Sequence, residues 1–417
     1  MDIRKYVEEN YELNVKLRRH LHENPELSAV EFKTLEYIRD FLTEVGISYT
    51  EIEDGGILGF IKGDHPGKTV LLRGDIDALP IQEPEKNLKN VRVCRSNNDG
   101  VMHACGHDAH TSMLMTAGKI LNDHKDELKG NVILCFERGE EGGGNIMQIM
   151  RYLIENNIHY DAAFGQHVDQ RNPVGKIGVC IGGEEAGTIP IDITVKGRGG
   201  HGSRPDLSNN PIDCILQIVS AIKDIRMKYI DPYEPITVGI NVINAGIKGN
   251  IIPDEGVILG SARYFSIKNA GEPFMREMSK ICKAAAVQFD CEVINAADTS
   301  TGVPPTNNDV KLAEFTRQVL QKDISPDIIG PVEPQLTSET FSHYAMLAPA
   351  VYINLGVTNP EYGSGAELHS QWFDMDETAM KYGVMALVSL AYEYLEAGDV
   401  PDCFEAPPQS MLDAYVK

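Results

Sequence analysis

The string GVMHACGHDAH, residues 100–110, brings His103, Cys105, His107, Asp108 and His110 into one short run. A thiolate and an imidazole two residues apart can both reach one metal centre. Their softness favours zinc or another late divalent metal over magnesium or calcium. A histidine-rich turn with an ordinary buried cysteine is the plain alternative for this string alone. Other ligand-type side chains follow apolar runs: Asp75 and Asp77 in LLRGDIDALP, Glu140 and Glu141 in NVILCFERGEEGGGN, His167 in AAFGQHV, and His369 in AELHSQWF. Adjacent glutamates point differently, so one can ligate a metal while the other addresses its water. A solvated acidic turn is the commoner fate of such a pair, but it fits poorly with the triple glycine Gly142 to Gly144, which lets backbone approach closely.

These segments need a scaffold that gathers them. Apolar runs at Ile57–Ile61, Thr69–Leu72, Asn131–Phe136, Asp161–Gly165 and Ala350–Leu355 read as buried strands. Helical stretches separate several of them, notably Thr111–His124 and Asn145–Asn157, and a last helix starts near Asp376. Near the N-terminus, Ile3, Val7, Leu17 and Leu21 share a helical face. Ser28 and Glu31 form a capping-box pattern before Phe32, Leu35, Ile38 and Leu42, and Gly46 stops that helix. Strands alternating with helices predict an α/β domain whose sheet is covered on both faces. Loops beyond the carboxyl ends of such strands are where α/β folds place their sites.

The middle of the chain differs. Ile189, Ile191, Ile193 and Val195 alternate with polar residues, the period of a half-buried strand. A helix follows, with Asn210 as N-cap and Pro211 at its first position. Strands near Ile236–Ile243 and Val257–Phe265, a helix from Pro273 to Phe289 and a strand over Glu292–Ala296 complete a β-α-β-β-α-β order, the ferredoxin-like pattern. The expected inserted domain is 187–298, with 1–186 and 299–417 forming the larger, catalytic domain.

Composition narrows the partners. The 417 residues carry 38 Lys and Arg against 61 Asp and Glu, a net charge of −23 that argues against nucleic acid or an anionic membrane. No apolar run reaches the roughly 20 residues that span a bilayer, and the charged start MDIRKYVEEN lacks the apolar core of a signal peptide. Eight cysteines in so long a chain are not a disulfide framework, so a reducing, cytoplasmic setting is expected.

With these strings assembled, the chain resembles the amidohydrolase branch of the dinuclear-metal aminoacylase and carboxypeptidase family. Hippurate hydrolases, auxin-conjugate hydrolases and N-acyl-amino-acid deacylases are relatives within it. The resemblance runs nearly end to end: RRHLHENPELS at 18–28, RGDIDALPIQE at 73–83, MHACGHDAH, GEEGGG, GQHV, GRGGHGSRPD at 197–206, NIIPDE at 250–255, SETFSHYA at 338–345 and LHSQWFDMDE at 368–377. It implies a zinc-peptidase-like α/β catalytic domain with a ferredoxin-like lid that mediates dimerisation. It also implies Cys105, His107, Glu141, His167 and His369 as metal ligands, with Cys105 bridging two divalent transition-metal ions (Zn, Mn, Co or Ni). Glu140 is then the general base, Asp77 orients a ligand, and His201 in the lid stabilises the oxyanion, often from the opposite subunit. Two departures from the family pattern stand out. Arg138-Gly139 replaces Pro-Ala before the glutamates, and Thr340 stands where relatives carry Asp.

The expected function is metal-dependent hydrolysis of an amide bond in an N-acyl amino acid or small peptide. A protein at −23 must recruit the substrate's carboxylate; Arg263, in GSARYF, and Asn250 are the candidates, although Arg263 is equally readable as an outward-facing lid arginine. Dipeptidase or carboxypeptidase-type activity, Cys105 as a nucleophile with His107 as its base, and a scaffold that binds without turnover remain the rival readings.

Overall fold

The computed structural model describes residues 1–142, 144–298, 302–407 and 409–416. Gly143, the middle of the triple glycine, lies outside them, as does residue 299, the expected start of the second catalytic stretch. Contacts divide the chain into two compact units. One comprises Met1–Gly182, Asn307–Glu333 and His343–Lys417; the other comprises Gly183–Thr306 and Pro334–Ser342.

The larger unit is built on a seven-stranded sheet in the order Ser48–Ile52, Gly56–Lys62, Lys129–Glu137, His65–Asp75, Ala162–Pro173, Ala350–Thr358, Ile177–Gly178. The central four, Lys129–Glu137, His65–Asp75, Ala162–Pro173 and Ala350–Thr358, run parallel, so their carboxyl ends share one edge. Ala350–Thr358 is buried at nearly every position, and Val132 to Glu137 likewise, which requires cover on both faces of the sheet. Helices His107–Asp123 and Ala379–Ala397 pack on each other and on these strands. Helix Val310–Asp323 and the outer strands Ser48–Ile52 and Ile177–Gly178 have no counterpart in the sequence reading.

Two local expectations are corrected. The face Ile3, Val7, Leu17, Leu21 is buried, but it belongs to two helices, Ile3–Glu9 and Tyr11–Glu23, separated at Asn10. Ser28 and Glu31 form no capping box. The helix Phe32–Glu44 starts without a side-chain cap and buries Leu35, Ile38 and Leu42, and Gly46 follows it at φ +72°. Phe32 lies off that face, 63% exposed, under the Arg138 guanidinium. Both would-be capping side chains are recruited by longer-range partners, described below.

The second unit has the β-α-β-β-α-β order: strand Gly187–Lys196, helix Pro211–Tyr229, strands Ile236–Ala245 and Glu255–Tyr264, helix Glu272–Phe289, strand Glu292–Asn295. Its antiparallel sheet runs Ile236–Ala245, Glu255–Tyr264, Gly187–Lys196, Glu292–Asn295. Ile189, Ile191, Ile193 and Val195 bury one face against Ile215, Ile218, Ile222, Phe274 and Met278. Asn210 caps the first helix through Ile212 N at 3.1 Å, with Pro211 at the first position.

Candidate metal centre

The parallel strands of the larger unit deliver the ligand-type residues to one edge. Asp75 ends its strand, Glu140 and Glu141 follow Lys129–Glu137, and His369 lies beyond Ala350–Thr358. His167 departs from the expected loop position. It sits inside strand Ala162–Pro173, paired with Asn354. Gly106 makes the turn into helix His107–Asp123 at φ +86°, and a Cβ there would meet Val168 Cγ2 at 2.5 Å. Glycine is therefore required where Cys105 and His107 pass under His167.

Hydrogen bonds orient each imidazole. His107 Nδ1 lies 2.9 Å from Asp77 Oδ1. A carboxylate accepts, so the ring proton sits on Nδ1 and Nε2 carries the lone pair. That Nε2 is buried without a hydrogen-bond partner. Asp77 Oδ2 accepts the Glu141 amide at 3.0 Å and the Ser28 hydroxyl, so one carboxylate ties His107 to the paired-glutamate turn. His167 Nδ1 donates to the Val168 carbonyl at 2.7 Å, turning Nε2 to within 3.3 Å of Cys105 Sγ. His369 Nε2 lies 3.3 Å from Cys105 Sγ and 3.0 Å from Glu141 Oε1. His369 adopts φ +59°, a costly conformation for a non-glycine residue, and its amide is held by the Ala104 carbonyl at 2.9 Å.

Three sets result, each with ligand atoms within 4.8 Å of one another: Cys105, His107 and His167; Cys105, Glu141 and His369; His107, Glu140 and Glu141. Cys105 is shared by two. Burial pushes its thiol well above the usual range, with His107 pulling the other way. A thiolate there calls for a cation beside it. The orphaned His107 Nε2 makes the same demand. The residues therefore fit a soft divalent metal.

The rest of GVMHACGHDAH stands outside these sets. Asp108 is held by Arg18 at 2.7 Å and His22 at 2.8 Å. His103 is fully buried and kept neutral, its pKa lowered to about 4 chiefly by burial. Asp75, His107 and His110 form a fourth close group, but both His110 nitrogens are committed: Nδ1 to Asp75 Oδ1 at 2.7 Å, Nε2 to the Val168 amide at 3.0 Å. The departure at Arg138 resolves locally. Its guanidinium is 3% exposed, bonded to Glu31 Oε2 at 2.9 Å and to the Ala29 carbonyl at 2.7 Å. Glu31, Ser28 and His110 are the site-supporting residues that sequence reasoning missed. The first two were hidden by a local motif that did not form.

In the second unit, Gly200–His201 pairs with Ile251–Ile252, and the Gly202 amide donates to the Asn250 carbonyl at 2.9 Å, placing His201 beside Asn250. Both are exposed. The Ser203 amide donates to His201 Nδ1 at 3.1 Å, which leaves the ring proton on Nε2 as an outward donor. Arg263 stands apart on the central strand, its Nη1 donating to the Thr188 and Ser338 hydroxyls. The Thr340 hydroxyl bonds Glu339 at 3.3 Å.

Comparison with known proteins agrees with this geometry. A family model described as peptidase family M20/M25/M40 matches residues 71–393. The chain is 35% identical over 390 residues to thermostable carboxypeptidase 2 of Saccharolobus solfataricus, covering 91% of this chain and 95% of that protein. It is 32% identical over 392 residues to IAA-amino acid hydrolase ILR1-like 4 of Arabidopsis thaliana, covering 91% and 85%. A solved Bacillus subtilis structure, described as a dinuclear metal binding peptidase from the M20 family, aligns with TM-score 0.73 and 28% identity over 93% of this chain and 99% of that one.

Proposed function

The chain belongs to peptidase family M20/M25/M40, whose members hydrolyse amide bonds with the aid of metal ions, and from that premise we propose that it cleaves an N-acyl amino acid or small peptide to a free amino acid and a carboxylic acid. The observation that carries this reading is the convergence of Cys105, His107, Glu140, Glu141, His167 and His369 from separate segments, with the imidazole lone pairs of His107 and His167 turned toward the cluster. Cys105, His107, Glu141, His167 and His369 would hold two divalent transition-metal ions, Zn, Mn, Co or Ni, with Cys105 between them. Bound there, the ions supply Lewis-acid activation of water and of the scissile carbonyl.

The chain's own side chains do the rest. Glu140, in the set with His107 and Glu141, takes the water proton on its carboxylate and passes it to the leaving nitrogen. Asp77 keeps His107 in its Nδ1–H tautomer and fixes the Glu141 amide. His201, with a proton on Nε2, donates to the developing oxyanion. Arg263, anchored by Thr188 and Ser338, receives the substrate carboxylate together with Asn250. Cys105 as a nucleophile is disfavoured, because burial holds it as a thiol.

We assign the discontinuous larger unit to catalysis and the second to a lid that pairs two copies. The lid's edge strand Ile236–Ala245 exposes Val242 and Ile243, and edge-to-edge pairing across a two-fold axis would cover them. A cytoplasmic setting suits eight free cysteines, and among the described residues no helix is long and apolar enough to cross a membrane. The test is a panel of acetyl-, benzoyl- and peptidyl-amino acids assayed for free-amine release with metal-reconstituted protein. Release from at least one acyl-amino acid class is expected. Silence across the panel with both ions bound would overturn the substrate assignment.

A further inference from the structure

His110 lies one turn along the helix from His107 and is not among the ligands assigned above. Its surroundings are specific nonetheless. The Val168 amide can only donate, and it points at His110 Nε2 from 3.0 Å. That nitrogen must therefore accept, and the ring proton must sit on Nδ1, 2.7 Å from Asp75 Oδ1. Asp75 is itself fixed: its Oδ2 takes Arg73 Nη1 at 2.6 Å, and its carbonyl takes the Thr111 hydroxyl at 2.7 Å. Arg73 Nε in turn holds Glu137 at 2.8 Å. All of these side chains are buried. The Val168 peptide unit at the end of this chain has a second task, because the Val168 carbonyl takes His167 Nδ1–H at 2.7 Å and so sets the plane of the ring whose Nε2 faces Cys105.

We propose that His110 is a positioning residue: the Asp75–His110 pair clamps Val168 and thereby orients the His167 imidazole toward the metal centre. The inference rests on the metal reading given above. It excludes the group Asp75, His107 and His110 as a further ion site, since neither His110 nitrogen has a lone pair to spare. It also gives Asp75 a tautomer-setting duty. In Asp75→Asn the single remaining oxygen is claimed by Arg73, and the amide NH₂ turned toward His110 drives the proton to Nε2, where it opposes the Val168 N–H.

The test uses metal-free protein reconstituted with cobalt(II). Cobalt affinity is read by competition with a chelator, ligation by the thiolate-to-cobalt absorption, and folding by the thermal midpoint of the metal-free chain. His110→Leu and Asp75→Asn should bind one cobalt about 10- to 100-fold more weakly, with an altered spectrum, the range expected for losing a partner that orients a ligand. His110→Gln should recover most of the affinity and the native spectrum, because its amide oxygen can accept from Val168. Should His110→Leu fail to fold, Asp75→Asn carries the comparison. Native affinity and spectrum in His110→Leu and Asp75→Asn would overturn the inference, as would a His110→Gln protein no better than His110→Leu. Cys105→Ser separates the two levels. If it loses cobalt while the other variants keep it, only the positioning role falls; if it too keeps native cobalt binding, the metal reading falls with it.

Discussion

Arg138 Nε lies 2.9 Å from Glu31 Oε2 with both side chains almost wholly buried, and Glu31 Oε1 also accepts the Gly139 amide at 2.8 Å. This pair pins the start of the turn that carries Glu140 and Glu141. Removing one partner leaves the other charge buried and uncompensated, which costs about 3–5 kcal/mol. Glu31→Ala is expected to lower the urea unfolding free energy by that order. Glu31→Leu combined with Arg138→Met should recover much of the loss. Equal stability of Glu31→Ala and the native chain would contradict the clamp.

The same pair shows where the sequence was legible and where it was not. Strand and helix identities followed from apolar periodicity because burial imposes it: Ile189 to Val195 alternate since one face of their sheet is covered, and the run ending at Phe136 is continuous since both faces are. The metal-site residues were legible because chemistry restricts their types. What stayed hidden were partnerships set by tertiary distance. Ser28 and Glu31 obey a local capping rule on paper, yet Asp77 and Arg138 outbid the helix end for them. His110 reads like another ligand of its string, and only the approach of the Val168 amide shows otherwise.

Stability should fall in alkali. His22 is buried with Nδ1 2.8 Å from Asp108 and Nε2 2.9 Å from Glu83. Burial and the nearby Arg18 work against a charged ring, but the two carboxylates outweigh them and raise its pKa from 6.5 to about 9. A raised folded pKa gives stability that is complete below about pH 6.5 and lost as pH climbs through about 9. The share is on the order of 2–3 kcal/mol. Unfolding curves from pH 6 to 10 should show this decline, and His22→Gln should flatten it. An unchanged slope in that variant would remove His22 as its source.

Chelation should abolish activity, and added divalent metal should restore it. Cys105→Ser should retain metal far less well, since a hydroxyl is a much poorer ligand than a thiolate. Elemental analysis should find up to two ions per native chain. Full activity in thoroughly metal-free protein would be incompatible with the mechanism.

Assembly is testable by subunit mixing. A homodimer is expected by light scattering. Inactive His201→Ala chains mixed with inactive Glu140→Gln chains should regain activity, because a mixed dimer in which His201 serves the opposite chain contains one site with both native residues. No recovery after verified subunit exchange would place His201 in its own chain's chemistry or outside it. A monomer would refute the pairing of lids.

The most direct measurement of the central claim is the comparison of Glu140→Gln with Glu141→Gln for bound metal and kcat. Glu140→Gln removes the proton carrier without removing a ligand, so it should keep native metal content and lose about 10²–10⁴ in kcat. Glu141→Gln should lose metal. The reverse pattern, with metal lost from Glu140→Gln and kept by Glu141→Gln, would contradict the assignment of the two glutamates, and native kcat in Glu140→Gln would contradict general-base catalysis by this site.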